Sequence, residues 1–99
     1  MAERPYSQTE WRVKPGRESD FVERWRELAE WSALQGLSGP AKLFLDRDDP
    51  TRFVSFGPWE SLEKVQRWRS LPGYDDRIAR LVEVLERFDP HTLEQVAEQ

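Results

Sequence analysis

Prolines and glycines cut this chain into short segments, and this division limits the fold more than any other feature of the sequence. Proline has no backbone N–H and glycine favours turns, so each such residue or pair marks the end of an element. The chain is therefore expected to fold from short strands and helices joined by turns. The breaks occur at Pro15-Gly16, Gly36, Gly39-Pro40, Pro50, Gly57-Pro58, Pro72-Gly73 and Pro90.

The first two segments have the periodicities of a strand and of an amphipathic helix. Within Tyr6–Lys14, the residues Thr9, Trp11 and Val13 alternate with charged neighbours, and this period of two predicts a half-buried strand. Further on, apolar residues recur at helical spacing and predict a helix that runs to about Leu34, before a glycine ends it. The helical stripe consists of Phe21, Val22, Trp25, Leu28 and Ala29.

The middle of the chain has the pattern of a hairpin followed by a helix. Two short apolar runs, Ala41–Leu45 and Arg52–Phe56, flank the turn-forming segment Asp46–Pro50. Ser61 can cap the N-terminus of a helix that continues through Ser70, after which proline and glycine follow. We therefore expect two paired strands and then a helix.

The C-terminal region combines a second helical stripe with an ambiguous tail. The stripe predicts a helix that Asp89-Pro90 ends. The following segment, Thr92–Ala97, is short enough to be a last strand, and it also fits a helical turn. The residues of the stripe are Ile78, Leu81, Val82 and Leu85.

The order of these elements, β-α-β-β-α(α)-β, predicts an α+β fold with a ferredoxin-like split βαβ arrangement, formed by residues 1–99 as a single domain. An antiparallel sheet then carries helices on one face only. The other sheet face is left bare, and an apolar bare face has to be covered, so we expect face-to-face dimerisation. The pattern does not decide which face carries Trp11, Phe44, Val54 and Phe56.

The composition excludes several classes of protein. A chain without cysteine cannot hold a disulfide framework, a thiol nucleophile or an iron–sulfur cluster. Its single histidine, His91, argues against a His-rich metal site, and its net charge of −4 argues against nucleic-acid binding. No apolar run reaches the roughly 18 residues of a membrane helix, and no signal-peptide core follows the N-terminus. We therefore expect a cytoplasmic protein with no metal, nucleic-acid or membrane partner.

Several motifs, in this order and spacing, resemble the antibiotic biosynthesis monooxygenase family. They are Val13–Phe21, Asp49–Val54, Trp59-Glu60-Ser61, Trp68 and Pro72-Gly73-Tyr74, and the similarity extends from about residue 6 to residue 97. The resemblance implies a dimeric α+β barrel with a cavity between the sheet and the helices of each subunit. It also implies a homodimer that binds a small aromatic or hydrophobic molecule.

The resemblance also suggests an activity. The cofactor-independent oxygenases of the family oxidise polycyclic phenols to quinones, and they use a Trp and, six residues later, a Tyr; Trp68 and Tyr74 have that spacing. Their Asn four residues before the Trp is replaced by Lys64. Their arginine near the last strand falls at Phe88, next to Arg87, which becomes a candidate for substrate binding. The haem-degrading branch has a His where this chain has an isoleucine, so no haem and no other cofactor is expected.

Oxygenation without metal or flavin requires the substrate to supply the electrons, so a phenol or enol must first become an anion. A protein can contribute a dry cavity, orientation and groups that stabilise the anion. We predict that Trp68 and Tyr74 bind the ring and its oxygen through their N–H and O–H groups. Lys64 is predicted as a further catalytic residue and Arg67 as a substrate-binding residue, since both precede Trp68 on the same helix.

Each candidate also has a simpler explanation. Trp68 and Tyr74 could be packing aromatics, and Lys64 and Arg67 each follow a glutamate by four residues, the spacing of weak ion pairs on a solvated helix. These two residues begin a basic stretch that includes Arg69, and any one of its residues could instead hold a substrate anion. A non-catalytic ligand-binding or stress-associated module, and an isomerase or cyclase, stay open as functions because the fold alone does not choose among them.

Overall fold

The computed structural model of the protein describes residues 4–36 and 39–99. Residues 1–3 and 37–38 lie outside the described residues. The prediction that no signal-peptide core follows the N-terminus concerns in part residues 1–3. Strands and helices follow one another in the predicted order. Their bounds are β1 Arg4–Val13, α1 Glu18–Leu34, β2 Lys42–Leu45, β3 Arg52–Pro58, α2 Leu62–Ser70, α3 Tyr74–Val82 and β4 Leu85–Gln95.

The strands form an antiparallel sheet in the order β2-β3-β1-β4, which confirms the predicted α+β ferredoxin-like fold. Trp11 lies at the centre of this sheet, opposite Phe53 of β3 on one side and Phe88 of β4 on the other. The alternation predicted for β1 is also confirmed, because Thr9, Trp11 and Val13 are all buried on the face towards the helices. We call this the inner face of the sheet.

The core forms where the helices cross the inner face. Phe21 of α1 is fully buried, and its ring centroid lies 5.5 Å from that of Trp11 and 5.0 Å from that of Phe53. Leu28 of α1 and Leu81 of α3 complete the contact. Fully burying a large apolar side chain contributes about 1.5–3 kcal/mol, so this cluster is what holds the helices against the sheet.

The predicted end of the last helix is wrong. Helix α3 ends at Val82, and β4 then runs straight through Asp89-Pro90 instead of beginning after it. The Val84 carbonyl accepts a hydrogen bond from the Lys14 N–H at 2.9 Å, and this bond brings the chain into the sheet beside β1. Proline is tolerated within β4 because β4 is an edge strand, where one side of the backbone has no ladder partner.

The opposite, outer face of the sheet carries both apolar and charged side chains. Phe44 and Phe56 meet edge to face at 6.1 Å between ring centroids, and both are exposed. Val54 pairs across the strands with Phe44, so these three apolar residues share the outer face, in contrast to Trp11. Within residues 4–36 and 39–99, no helix combines the length and the apolar character that crossing a bilayer requires.

An ion-pair network crosses the outer face beside these apolar residues. Arg12 pairs with Asp49, and Arg52 pairs with both Glu10 and Asp46, the latter at 3.0 Å. These pairs join β1 and β3 to the turn between β2 and β3. Since the side chains are partly exposed, each pair contributes little by itself, and their main effect is to fix the position of that turn.

Candidate active site

A cavity of about 450 Å³ lies between the inner face of the sheet and the helices. This volume is within the usual range for small-molecule sites, about 300–1,000 Å³. Every helix and the central strands contribute to its wall, which is mainly aromatic and apolar. Prominent lining residues are Trp11, Trp25, Trp59, Trp68, Ile78 and Phe88.

The break between α2 and α3 brings Trp68 and Tyr74 together on the cavity wall. Ser61 caps α2 as predicted, accepting a hydrogen bond from the Lys64 backbone N–H at 3.2 Å. Gly73 then takes a φ of +96°, a conformation that residues with a Cβ rarely adopt, and α3 starts directly afterwards. The two rings meet edge to face at 4.7 Å between centroids.

The indole N–H of Trp68 is already engaged within the protein. It donates to the Ser32 hydroxyl of α1 at 2.8 Å, whereas the sequence analysis expected it to bind the ligand. Trp68 therefore contributes its ring to the cavity rather than its N–H. The same pattern recurs along the wall, where Trp59 donates to Ser7 at 2.6 Å and Trp11 donates to Ser55 at 2.9 Å.

Tyr74 provides a polar group on this wall. Burial raises the pKa of its hydroxyl, and the charge of Asp75 acts in the same direction, while the positive charge of the nearby Arg69 guanidinium partly opposes them. Because the pKa lies above its usual value near 10, the hydroxyl stays protonated at neutral pH. Tyr74 can thus donate a hydrogen bond to an oxygen in the cavity, and it does not act as a base.

The structure does not bring Lys64 and Arg67 to the cavity. The Lys64 ammonium pairs with Glu60 at 2.9 Å, and this pairing lowers the pKa of Glu60. Arg67 lies 3.8 Å from Glu63 on the exposed side of α2. These two ion pairs are the ones predicted by the simpler explanation of Lys64 and Arg67, that of weak pairs on a solvated helix face. Neither Lys64 nor Arg67 lines the cavity among the described residues, so their roles towards a substrate remain predictions without structural support.

Arg87 lies on the other side of the sheet. It pairs with Arg12 of β1, whose side chain is part of the outer ion-pair network, and its charge acts on Glu10 of that network. Its neighbour Phe88 points inward and stacks on Trp11 at 5.4 Å between centroids. A difference of one position along a strand reverses the face, which explains why Arg87 lies away from the cavity.

Arg69 is a charged cavity residue that the sequence pattern did not single out as a site residue. It lies in the last turn of α2, lines the cavity, and interacts with the hydroxyl of Tyr74. The available signal was its position two residues before the Leu71–Gly73 break, where the end of α2 faces the start of α3. Membership of a basic stretch did not by itself set it apart from Lys64 and Arg67.

The titratable groups along the cavity offer no metal site. Arg26 and Glu30 of α1 and His91 of β4 also line the cavity, on different elements. Over residues 4–36 and 39–99, no three His, Asp or Glu side chains are grouped so that they could hold a metal ion.

The sequence matches a known protein family over three quarters of its length. The model of one family, described as antibiotic biosynthesis monooxygenase, matches residues 6–80. The chain belongs to this family. The antibiotic biosynthesis monooxygenase match extends from the third residue of β1 through most of α3, and so contains Trp68, Arg69 and Tyr74, while Arg87 lies beyond it. No curated protein matches the sequence.

Solved structures of antibiotic biosynthesis monooxygenase type share the fold over nearly the whole chain. A putative monooxygenase of this name from Nitrosomonas europaea has a TM-score of 0.85 and 16% identity, covering 97% of this chain and 93% of its own. Another from Bordetella bronchiseptica has a TM-score of 0.84 and 17% identity, covering 95% and 98%. A mutant of SnoaB, a cofactor-independent oxygenase from Streptomyces nogalater, has a TM-score of 0.79 and 18% identity, covering 100% and 96%. At these identities the likeness shows the fold alone.

Proposed function

We propose that this member of the antibiotic biosynthesis monooxygenase family is a cofactor-independent monooxygenase for a small, flat, electron-rich aromatic substrate of phenolic or polyketide-like type. The observation that carries the proposal is the edge-to-face pair of Trp68 and Tyr74 on the wall of the 450 Å³ aromatic cavity. The ring of Trp68 offers a surface against which an aromatic substrate can pack, and the hydroxyl of Tyr74 offers a donor for its oxygen.

The reaction needs no electrons from the protein. A phenol with a free ring position and one molecule of oxygen together give a quinone and one molecule of water, so the substrate is oxidised and oxygen is reduced. The phenol first loses its proton to solvent, and the anion then passes one electron to oxygen, giving a phenoxyl radical and superoxide. These two recombine to form a C–O bond, a proton returned from solvent completes the hydroperoxide, and loss of water from this hydroperoxide leaves the new carbonyl.

Each contribution of the protein follows from the cavity described above. The aromatic wall orients the ring and excludes water, which strengthens electrostatic interactions inside the cavity. The protonated hydroxyl of Tyr74 stabilises the phenolate by donating a hydrogen bond to its oxygen. A hydrogen bond to a charged group contributes about 1.5–3 kcal/mol, which corresponds to roughly tenfold to a hundredfold in rate when it acts in the transition state.

Oxygen uptake tests this proposal. Uptake is measured with anthrone-, naphthol- and hydroquinone-type compounds in metal-chelated buffer, with a protein-free sample to subtract spontaneous oxidation. We expect protein-dependent uptake that falls by about tenfold or more in Tyr74→Phe, which loses one donor. Tyr6→Phe is the matched control, since Tyr6 lies on β1 opposite Leu93, outside the cavity.

The outcomes separate this function from the alternatives. Uptake that is equal with and without protein, or unchanged in Tyr74→Phe, would contradict the proposal. Binding of the same compounds without uptake would favour an isomerase or cyclase that orients an enol, or a binding module on the same fold.

We also propose that the protein acts as a homodimer in the cytoplasm and that the outer face of the sheet is its interface. Phe44, Val54 and Phe56 form an apolar group there, and no element of the described residues covers them. An exposed apolar group on a sheet is typical of a surface that binds a partner, and the ion-pair network beside it would form a polar rim.

A further inference from the structure

Hydrogen-bonding groups are unevenly distributed around the cavity. On the side of the sheet and α1, serine hydroxyls accept the indole N–H groups of Trp11, Trp59 and Trp68. These donors are therefore satisfied before a ligand binds, and the surfaces that they present are aromatic. Polar recognition of a ligand has to come from other groups along the wall.

Arg69 and Tyr74 form such a polar group where α2 meets α3. Both residues line the cavity, Arg69 from the last turn of α2 and Tyr74 from the first residue of α3, so that the charge of Arg69 acts on the Tyr74 hydroxyl. Arg69 makes no ion pair with a carboxylate in the described part of the chain, whereas Arg67 on the same helix pairs with Glu63. Its positive charge is thus available to a ligand, and Tyr74 supplies a neutral donor beside it.

Other charged groups near the cavity do not provide the same combination. Arg26 and Glu30 also line the cavity, but they lie on α1, and the cation whose charge acts on the Tyr74 hydroxyl is Arg69. Asp75 is adjacent to Tyr74 and disfavours an anion there. His91 lines the cavity from β4. Arg69 is therefore the cationic side chain best placed to act on a ligand oxygen beside Tyr74.

We propose that Arg69 determines the specificity of the cavity, its guanidinium and the Tyr74 hydroxyl together holding the ionised oxygen of an aromatic ligand. The proposal takes the ligand class from the proposed function, but it concerns binding and does not depend on reaction with oxygen. A ligand with one anionic oxygen at one end and an apolar ring at the other fits this distribution, and the ionised form binds in preference to the neutral one.

Binding of 4-nitrophenol, whose ionised form is yellow, tests the proposal without turnover. Its apparent pKa is read from absorbance in free solution and in the presence of saturating protein, under anaerobic conditions. An opposite charge within about 4–6 Å lowers a pKa by about 1–3, and for an exposed arginine we expect a decrease of about 1. The affinity of the neutral analogue 4-nitroanisole is measured over the same pH range. Because this compound does not ionise, any pH dependence of its binding comes from the protein, including Glu30 and His91 of the cavity wall, and is subtracted.

Substitutions then assign the effect to Arg69. In Arg69→Gln we expect the pKa of bound 4-nitrophenol to rise by about 1 relative to the wild-type complex and affinity for the anion to fall about tenfold, because a change of 1 in pKa equals about 1.4 kcal/mol. Affinity for 4-nitroanisole should stay unchanged. Arg69→Lys should keep part of the decrease, and Arg67→Gln, on the exposed side of α2, should keep all of it.

Two results would overturn the proposal. One is a wild-type protein that shows no preference for the ionised form, and the other is an Arg69→Gln variant that retains the full preference. Circular dichroism establishes that each variant is folded, and Arg69→Lys provides the comparison if Arg69→Gln does not fold. Absence of oxygen uptake together with the expected pKa changes would refute the oxygenase reaction and leave the role of Arg69 in binding intact.

Discussion

The indole N–H of Trp68 donates to the hydroxyl of Ser32 at 2.8 Å, and that hydroxyl donates to the Leu28 carbonyl at 2.7 Å. These consecutive hydrogen bonds join α2 to α1 on the wall of the cavity. They also fix the orientation of the Trp68 ring, which packs against Tyr74 on one side and Trp59, at 5.1 Å between centroids, on another. Ser32 is therefore a positioning residue for the aromatic wall.

Replacing Ser32 with alanine is expected to lower the free energy of unfolding by about 1–3 kcal/mol, because the Trp68 N–H loses its acceptor in a partly buried site. Urea unfolding followed by circular dichroism measures the change. Ser70→Ala is the matched control, since Ser70 also donates to the carbonyl four residues earlier but accepts no indole N–H. Equal losses in the two variants would show that the bond to Trp68 contributes nothing.

The outer ion-pair network should make stability depend on acid pH. The hydrogen bond from Arg52 lowers the pKa of Glu10, and that from Arg12 lowers the pKa of Asp49, below ordinary values of 4.5 and 3.8. A carboxyl group whose pKa is lower in the folded state stabilises the fold fully above its unfolded pKa, and this stabilisation is lost as pH falls through the folded pKa. The free energy of unfolding should therefore decrease below about pH 4.5.

The part of this dependence due to Arg52 can be isolated by substitution. Arg52→Met should reduce the loss of stability between pH 7 and pH 3, because Glu10 loses the hydrogen bond that lowers its pKa most, while Asp46 keeps the bond from the Asp48 N–H that is the main cause of its own lowered pKa. Arg47→Met, at an exposed position of the same turn, serves as the control and should keep the wild-type dependence. The urea midpoint measured across this pH range gives the comparison, and identical curves for the two variants would contradict the prediction.

The proposed dimer predicts a change in assembly when the outer face is charged. We expect wild-type protein to sediment as a dimer at micromolar concentration, and Phe44→Lys to raise the dissociation constant at least tenfold by placing a charge among the apolar residues. Leu62→Lys is the control, because Leu62 has nearly the same exposure, 54% against 51%, but lies on α2 away from this face. A wild-type monomer under these conditions would rule out the interface.

The sequence was sufficient where local pattern and tertiary structure agree. Alternation around Trp11 identified β1 and its inner face, the apolar stripe identified α1, and the side chain of Ser61 marked the start of α2. It failed between Val82 and Leu85, because a helical stripe and the first residues of a buried strand follow one another without a break. Leu85 is buried, as it would be either in a helix or in a strand. Only its pairing with Val13 of β1 shows that it belongs to a strand.

For the candidate site, the sequence pointed to Trp68 and Tyr74, which both line the cavity, but not to the contacts that they make there. The bond between Trp68 and Ser32 joins residues 36 positions apart, and no local pattern indicates it. Lys64 lies one helical turn before Trp68, and its ammonium turns instead to Glu60. Which basic residue of α2 reaches the cavity depends on how the helix packs on α1 and α3, and this is a tertiary property.

Because the tryptophans of the cavity wall are paired with serines, the aromatic wall and the polar end of the cavity can change independently during evolution. The indole N–H groups of Trp11, Trp59 and Trp68 are hydrogen-bonded to serines of the protein, so a new ligand does not have to replace these hydrogen bonds. A substitution at Arg69 can then change which molecules are accepted while the packing of the core stays as it is. The protein can therefore acquire a new substrate through a single substitution at the exposed end of the cavity, without passing through a variant of lower stability.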